Sequence, residues 1–256
     1  MGKNKLKKFR DMDTFDCVFQ YPFATLVASG FPLKGKWHSD FFGNVRPIVV
    51  ELGCGKGEYT VSLARRYPDR NFIGIDIKGA RMWTGASEAT RDNLKNVAFL
   101  RTSIELLPHF FADGEIDEFW ITFPDPQMKK TSKRLTSKRF LELYRQTIGD
   151  SAVVNLKTDS PFLYTYTRRL VEANGLEILA DSPDLYNSGI ADDILSIRTF
   201  YEQQWLDRGM TIKYLRFVLD KATPLEEVDD SDIERDNYRS FSRGQLQQPE
   251  LFKENI

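Results

Sequence analysis

From residue 47 onward, short runs of β-branched and apolar residues alternate with stretches whose apolar positions recur every three or four residues. That alternation predicts βα units and a mostly parallel sheet. Residues 48–52 read as a first strand, closed by the turn Gly53-Cys-Gly-Lys-Gly57. Tyr59, Leu63, Ala64 and Tyr67 then fall at helical spacing until Pro68-Asp69 stops the helix. Strands follow at 71–77, 97–100, 116–123 and 152–156, with a helix over about 79–92 and another on which Phe140, Leu143, Tyr144 and Ile148 mark one apolar face. A helix over 162–173 precedes a strand at 176–180. Residues 197–205 and 210–219 read as two late strands whose short separation predicts an antiparallel hairpin at the end of the sheet.

The first 40 residues and everything past Asp220 lack this rhythm. They predict a basic extension over 1–40, a catalytic-size α/β domain over 41–219 and an acidic tail over 220–256. A chain of 256 residues, 41% hydrophobic and 29% charged, has the make-up of a globular protein with one substantial core. No apolar run approaches the roughly 20 residues that span a bilayer, and the lysine-rich N-terminus has no signal-peptide core, so no membrane partner and a cytoplasmic location are expected. Two cysteines, Cys17 and Cys54, suit a reducing compartment, and two histidines outside any Cys/His/Asp cluster predict no metal site. Nothing in the sequence indicates a homo-oligomer.

A net charge of -1 conceals segregation. Lys3, Lys5, Lys7, Lys8 and Arg10 form a basic head; Lys129, Lys130, Lys133, Arg134, Lys138 and Arg139 form a second cluster. Glu226, Glu227, Asp229, Asp230, Asp232 and Glu234 offset them in the tail. Such a distribution permits a polyanionic partner despite the balanced total.

The glycines at 53, 55 and 57 stand directly after a strand and open a helix, where they allow a tight turn and a ligand lying against the backbone. Asp76, at the end of the second strand, faces the same crevice and suits a ribose hydroxyl pair. A nicotinamide dinucleotide would use a similar site, but its fingerprint is G-x-G-x-x-G. Here the glycines alternate and Glu51 stands two positions before the first. This resembles the first motif of class I methyltransferases, which implies S-adenosylmethionine as cofactor and an acidic first-strand residue organising its methionine end. Ser103 follows the third strand, where an adenine-contacting Asp or Asn is usual in that class; Thr102 is an equal candidate. Cys54 reads as a small packing residue of the turn.

The segment Ile121-Thr-Phe-Pro-Asp-Pro-Gln127 begins at the carboxyl end of the fourth core strand, so Asp125 is delivered to the crevice between two stiffening prolines, and the basic cluster follows at once. Phe123-Pro-Asp-Pro126, Leu156-Lys-Thr-Asp159 and Thr199-Phe-Tyr-Glu202, in that order, resemble the tRNA (guanine-N7-)-methyltransferase family from about Val49 to Leu219. The resemblance implies a Rossmann-like class I methyltransferase fold, a seven-stranded, mostly parallel sheet with helices on both faces. It implies tRNA as substrate and N7-methylguanosine in the variable loop as product. It assigns cofactor contacts to Glu51, Asp76 and Asp125, with Asp125 also the catalytic residue, and the guanine site to Lys129, Asp159, Thr199, Phe200, Tyr201 and Glu202. Gln127 stands where the family commonly has Trp, and Ser103 replaces the usual acid or amide.

Guanine N7 carries a lone pair and no proton, so attack on a sulfonium methyl needs no general base. In-line placement at about 3 to 3.5 Å and a negative field near the purine suffice. Asp125 is expected to supply the field, Asp159 or Glu202 to accept from guanine N1 and N2, and Lys129 to hold a phosphate or O6. Two other readings are a small-molecule methyltransferase and a non-catalytic RNA-binding protein that retains the fold.

Overall fold

The computed structural model describes residues 3–237. Residues 238–256 of the expected tail, the side chains of Lys3 and Lys5 in the basic head, and the side chain of Tyr201 lie outside the described part. In chain order the elements are α1 (Lys3–Met12), β1 (Val18–Gln20), α2 (Phe23–Ser29), β2 (Ile48–Leu52), α3 (Glu58–Arg66), β3 (Asn71–Ile75), α4 (Gly79–Arg91), β4 (Val97–Arg101), α5 (Leu107–Phe110), β5 (Ile116–Thr122), α6 (Lys138–Tyr144), β6 (Ile148–Thr158), α7 (Pro161–Ala173), β7 (Ile178–Ser182), α8 (Phe200–Leu206) and β8 (Lys213–Asp220). The strands form one sheet in the order β1-β4-β3-β2-β5-β6-β8-β7. β8 runs antiparallel to both β6 and β7, and every other pairing is parallel.

The sheet is buried on both faces, which is why its central strands read as continuous apolar runs. Ile48, Val50 and Leu52 of β2 point into a core closed by α2, α5, α6 and α7. Val49 points to the opposite core with Tyr59, Leu63 and Ala64 of α3 and Met82, Ala86 and Ala89 of α4. Helices on both faces and a mostly parallel sheet agree with the expected class. The strand count is eight rather than seven because residues 18–20, inside the expected extension, pair with β4 through Val18–Phe99 and its neighbours. Further along the same segment, Trp37 is fully buried and donates its indole N–H to Phe110 O at 3.0 Å.

The expected late hairpin is corrected. Residues 197–205 do not form a strand: Thr199 caps α8, accepting from Glu202 N at 3.1 Å while Glu202 reaches back to Thr199 N. The S/T-x-x-E spacing is a helix-start signal that outweighs the β-branched and aromatic composition read as a strand. The partner of β8 is β7 instead, across a long connection that carries α8.

The chain runs outward from β2 through β3 to β4, then returns to β5 beside β2. At such a reversal the loops leaving neighbouring strands diverge, and a crevice opens at the carboxyl ends of the strands. β2 and β5 deliver the glycine turn and the Asp125 loop to it.

Candidate active site

The turn after β2 is fastened to β3. Gly53 N and Cys54 N both donate to Ile75 O, at 2.8 and 2.9 Å, and Gly55 N donates to Asp76 Oδ2 at 2.9 Å. Asp76 Oδ1 accepts from Lys78 N at 2.7 Å, so the carboxylate is fixed at the mouth of β3. Gly57 N donates to Cys54 O at 2.7 Å. With these four N–H groups engaged inside the protein, few of the turn's own donors are left for a pyrophosphate. That weighs against a dinucleotide.

The glycines are needed for distinct reasons. Gly55 adopts φ +56° with only Gly53 O near a Cβ position, so that side of the turn stays open. Gly57 adopts φ +73°, and a Cβ there would stand 2.6 Å from the Phe99 ring and 3.2 Å from Gly85 Cα. Close packing of α4 on the turn therefore excludes any side chain.

Two connected spaces open above this turn. A cleft of about 420 Å³ is lined by Gly53, Asp76, Ile77, Ser103, Phe123 and Asp125, among others. A recess of about 100 Å³ continues from it past Glu51, Gly55, Lys56, Thr122 and Thr199, sharing Gly53, Asp76 and Phe123 with the cleft. Their size suits a nucleoside-sized ligand.

Glu51 closes the recess. It is buried, and it accepts from Thr60 N at 2.9 Å, from the Thr60 hydroxyl, and from Thr122 Oγ1 at 2.8 Å. Burial outweighs those donors and raises its pKa to about 7. At the opposite end, Thr102 and Ser103 both line the cleft, but the Ser103 hydroxyl donates to Glu105. That bond, with Lys133 Nζ at 3.0 Å, lowers the Glu105 pKa to about 2. Thr102 is thus left as the hydroxyl of the pair not engaged by Glu105.

Asp125 is exposed on a loop whose flanking residues Phe123 and Gln127 have φ +50° and +47°, a conformation rare outside glycine. Its Oδ1 accepts from Gln127 N at 3.0 Å. Lys129 and Lys130, just beyond, are exposed. The rest of the basic cluster is divided by the fold: Arg134 is buried, Lys133 pairs with Glu105, and Lys138 pairs with Glu226 at 3.3 Å.

The remaining substrate-side residues are arranged differently. Glu202 is fully buried in an ion pair with Lys157, also fully buried, at 2.8 Å. Lys157 Nζ further donates to Leu195 O at 2.7 Å and Ile197 O at 3.1 Å, and Tyr186 donates to Glu202 Oε1 at 2.5 Å. Burial lowers the Lys157 pKa and Glu202 opposes that shift. Both groups hold the 183–202 segment onto the end of β6. Asp159 is also fully buried, and its carbonyl accepts from Lys213 Nζ at 3.2 Å. Thr199 caps α8 and reaches the recess. Phe200 is exposed, with Lys56 Nζ 3.6 Å from its ring centroid.

A family model described as a putative methyltransferase matches residues 45–215. A tRNA (guanine-N(7)-)-methyltransferase from Bacteroides fragilis is 56% identical over 95% of this chain and 96% of its own length. One from Porphyromonas gingivalis is 59% identical over 93% and 98%. The chain belongs to the tRNA (guanine-N(7)-)-methyltransferase family. Among solved structures, the 16S rRNA methyltransferase KamB aligns with TM-score 0.54 at 14% identity over 79% of this chain and 95% of that one. A 16S rRNA (adenine(1408)-N(1))-methyltransferase from Catenulisporales acidiphilia, solved with cosubstrate SAM, aligns with TM-score 0.50 at 17% identity over 75% and 93%. These likenesses show the fold.

In this member of the tRNA methyltransferase family, one crevice gathers Glu51, Gly53, Gly55, Asp76, Ser103, Asp125 and Thr199. Gly57 ends the turn packed against Phe99 and Gly85, and Asp159 and Glu202 are fully buried and line neither space. Sequence reasoning missed Thr60 and Thr122, which hold Glu51, and Lys157, which holds Glu202. Lys157 did carry a signal: a lysine within the apolar run Val153-Val-Asn-Leu-Lys157 of a buried strand needs a partner.

Proposed function

We propose that this methyltransferase transfers the methyl group of S-adenosylmethionine to N7 of a guanine in tRNA. The observation that carries the reading is the convergence of the glycine turn, Asp76 and the Asp125 loop on one cleft at the reversal of strand order. The residues present fit the cofactor. Asp76 offers a fixed carboxylate to the ribose hydroxyls, Thr102 a hydroxyl to the adenine, and Glu51 a buried carboxylate to the amino group. When bound, the cofactor supplies a methyl group on a cationic sulfur.

The chain's own task is placement and charge. Asp125, carried on the stiff Pro124-Asp-Pro126 element, presents a carboxylate where positive charge develops on the purine, and no proton need be removed from N7. Lys129 and Lys130 stand exposed beside it and meet the phosphates of the substrate strand. Glu202 acts on guanine indirectly. It is fully buried and its two oxygens already accept from Lys157, Tyr186 and the Thr199 N–H, so its role is to hold the 183–202 segment against the end of β6 and to set Thr199 at the recess. The free thiols of Cys17 and Cys54 suit the reducing cytoplasm, where we place the reaction.

The test is transfer of labelled methyl from S-adenosylmethionine to unmodified tRNA, with nucleoside analysis of the digest. Label in N7-methylguanosine is expected. Label in another nucleoside overturns the target atom, and no label on tRNA with label on a small acceptor overturns the substrate class.

A further inference from the structure

The acidic segment after β8 does not trail away from the domain. Leu225 and Ile233 are buried in the core beneath α6 and α7. Glu227 accepts from Tyr166 at 2.6 Å, Asp232 pairs with Arg169 at 2.6 Å, and Asp236 caps α7 by accepting from Phe162 N at 3.1 Å. Residues 221–237 thus form a strap. Its course brings it under the loop that carries Asp125.

The connection runs through Arg134. This guanidinium is only 1% exposed and lies between the rings of Phe162 and Tyr166, at 4.7 and 4.4 Å from their centroids. Nε donates to Gln127 O at 3.3 Å and Nη2 to Met128 O at 3.2 Å, while Nη1 pairs with Asp230 of the strap. Asp236 N meets Met128 Sδ at 3.2 Å, adding a second strap contact to the same loop. Left-handed backbone at Phe123 and Gln127 persists only where the surroundings hold it. Arg134 supplies two of the bonds that do so, and its buried charge is balanced from the strap.

We propose that the strap is part of the methyl-transfer machinery: Asp230, acting through Arg134, holds the 123–128 loop in the conformation that presents Asp125. Asp230 is a positioning residue. The proposal rests on Asp125 acting in methyl transfer, as argued above. It also explains why a basic cluster beside the crevice is followed by an acidic segment almost a hundred residues later: part of the cluster belongs to the brace, and Lys129 and Lys130 remain for RNA.

The experiment compares full-length Asp230→Asn, Asp230→Glu and Asp232→Asn with the parent chain. Asp232→Asn breaks an outer pair of the same strap, 67% exposed at Asp232, without touching Arg134. Single-turnover methyl transfer at saturating tRNA and cofactor is measured below each variant's melting point, together with the cofactor Kd. Asp230→Asn is expected to slow transfer about tenfold or more, since small misplacements of reacting groups are costly. Because the loop also lines the cofactor cleft, the cofactor Kd of this variant should change, but by less than the rate does; Asp230→Glu should recover most of the rate, and Asp232→Asn should match the parent. Should Asp230→Asn fail to fold, the double variant Arg134→Leu/Asp230→Asn removes the buried guanidinium together with its half-buried partner charge and is expected to fold and remain slow. Parental transfer by folded Asp230→Asn or by the double variant overturns the brace, as does an equal loss in Asp232→Asn. Asp125→Asn is run alongside: if it transfers at the parental rate, the reading of Asp125 fails, whereas a dead Asp125→Asn beside a fully active Asp230→Asn sinks the brace alone.

Discussion

On the cofactor side of the crevice, Gly55 and Asp76 are joined by a bond spanning 21 positions, and the turn closes on the end of the neighbouring strand. On the substrate side, Lys157 reaches Leu195, Ile197 and Glu202 across 38 to 45 positions, and the contacts are made by a fully buried ion pair. The first side is a local consequence of backbone conformation; the second is a long-range assembly that exists only when the whole domain is folded. A mutation in either side should therefore be felt differently by cofactor binding and by methyl transfer to tRNA.

The largest separation is expected from Lys157→Met. Removing the ammonium leaves Glu202 buried without a cation, at a cost of about 3 to 5 kcal/mol. In denaturant unfolding the double variant Lys157→Met/Glu202→Leu should regain most of that loss. In the fraction that remains folded, tRNA methylation should collapse while cofactor Kd changes less than about threefold. Loss of both together would mean that the two sides are not separable. Gly57→Ala should give the converse pattern. A left-handed φ and a Cβ 2.6 Å from the Phe99 ring together predict about 2 to 4 kcal/mol of destabilisation. Cofactor affinity should fall at least about tenfold, with KM for tRNA nearly unchanged in whatever activity survives.

The same division governs what the sequence made legible. The alternating glycines after an apolar run, Asp76 at a strand end and the Pro-Asp-Pro element each announce their position, because turn chemistry and strand ends are local properties. Residues 197–205 misled because β-branched and aromatic residues suggested a strand while Thr199 and Glu202, read only as substrate contacts, were a helix cap. The six cations near 129–139 looked like one RNA-facing patch, yet Arg134 is buried against Phe162 and Tyr166 and paired with Asp230. No pattern in a single sequence says which of several lysines and arginines will meet an acidic segment from far along the chain. Charge counting finds the patch; tertiary contacts decide its use.

A smaller effect is expected from pH, and it concerns only the cofactor side. Burial raises Glu51 from its ordinary 4.5 to about 7. Between those values the folded chain keeps a proton that the unfolded chain has released, so this group's contribution to stability declines as pH rises from about 4.5 to 7. A cofactor ammonium facing Glu51 favours the ionised form. Affinity should accordingly rise about tenfold between pH 6 and 8, with proton release on binding at the lower pH, and Glu51→Gln should flatten the profile. Calorimetry in buffers of different ionisation enthalpy measures both. An equally steep profile in Glu51→Gln would assign the titration to another group.

The smallest effect tests the seam between the two sides. Thr199 lines the recess, yet its hydroxyl accepts the N–H of Glu202 as a helix cap. Thr199→Ala should cost about 1 kcal/mol, and Thr199→Ser almost nothing, because serine preserves the cap. Since Lys157 still holds Glu202, the 183–202 segment stays in place, and the damage should be confined to the first turn of α8. The expected signature is a few-fold rise in KM for tRNA with cofactor affinity unchanged. If Thr199→Ala instead weakens the cofactor as strongly as the tRNA, the hydroxyl serves the recess directly, and the seam between the two sides runs through α8 rather than in front of it.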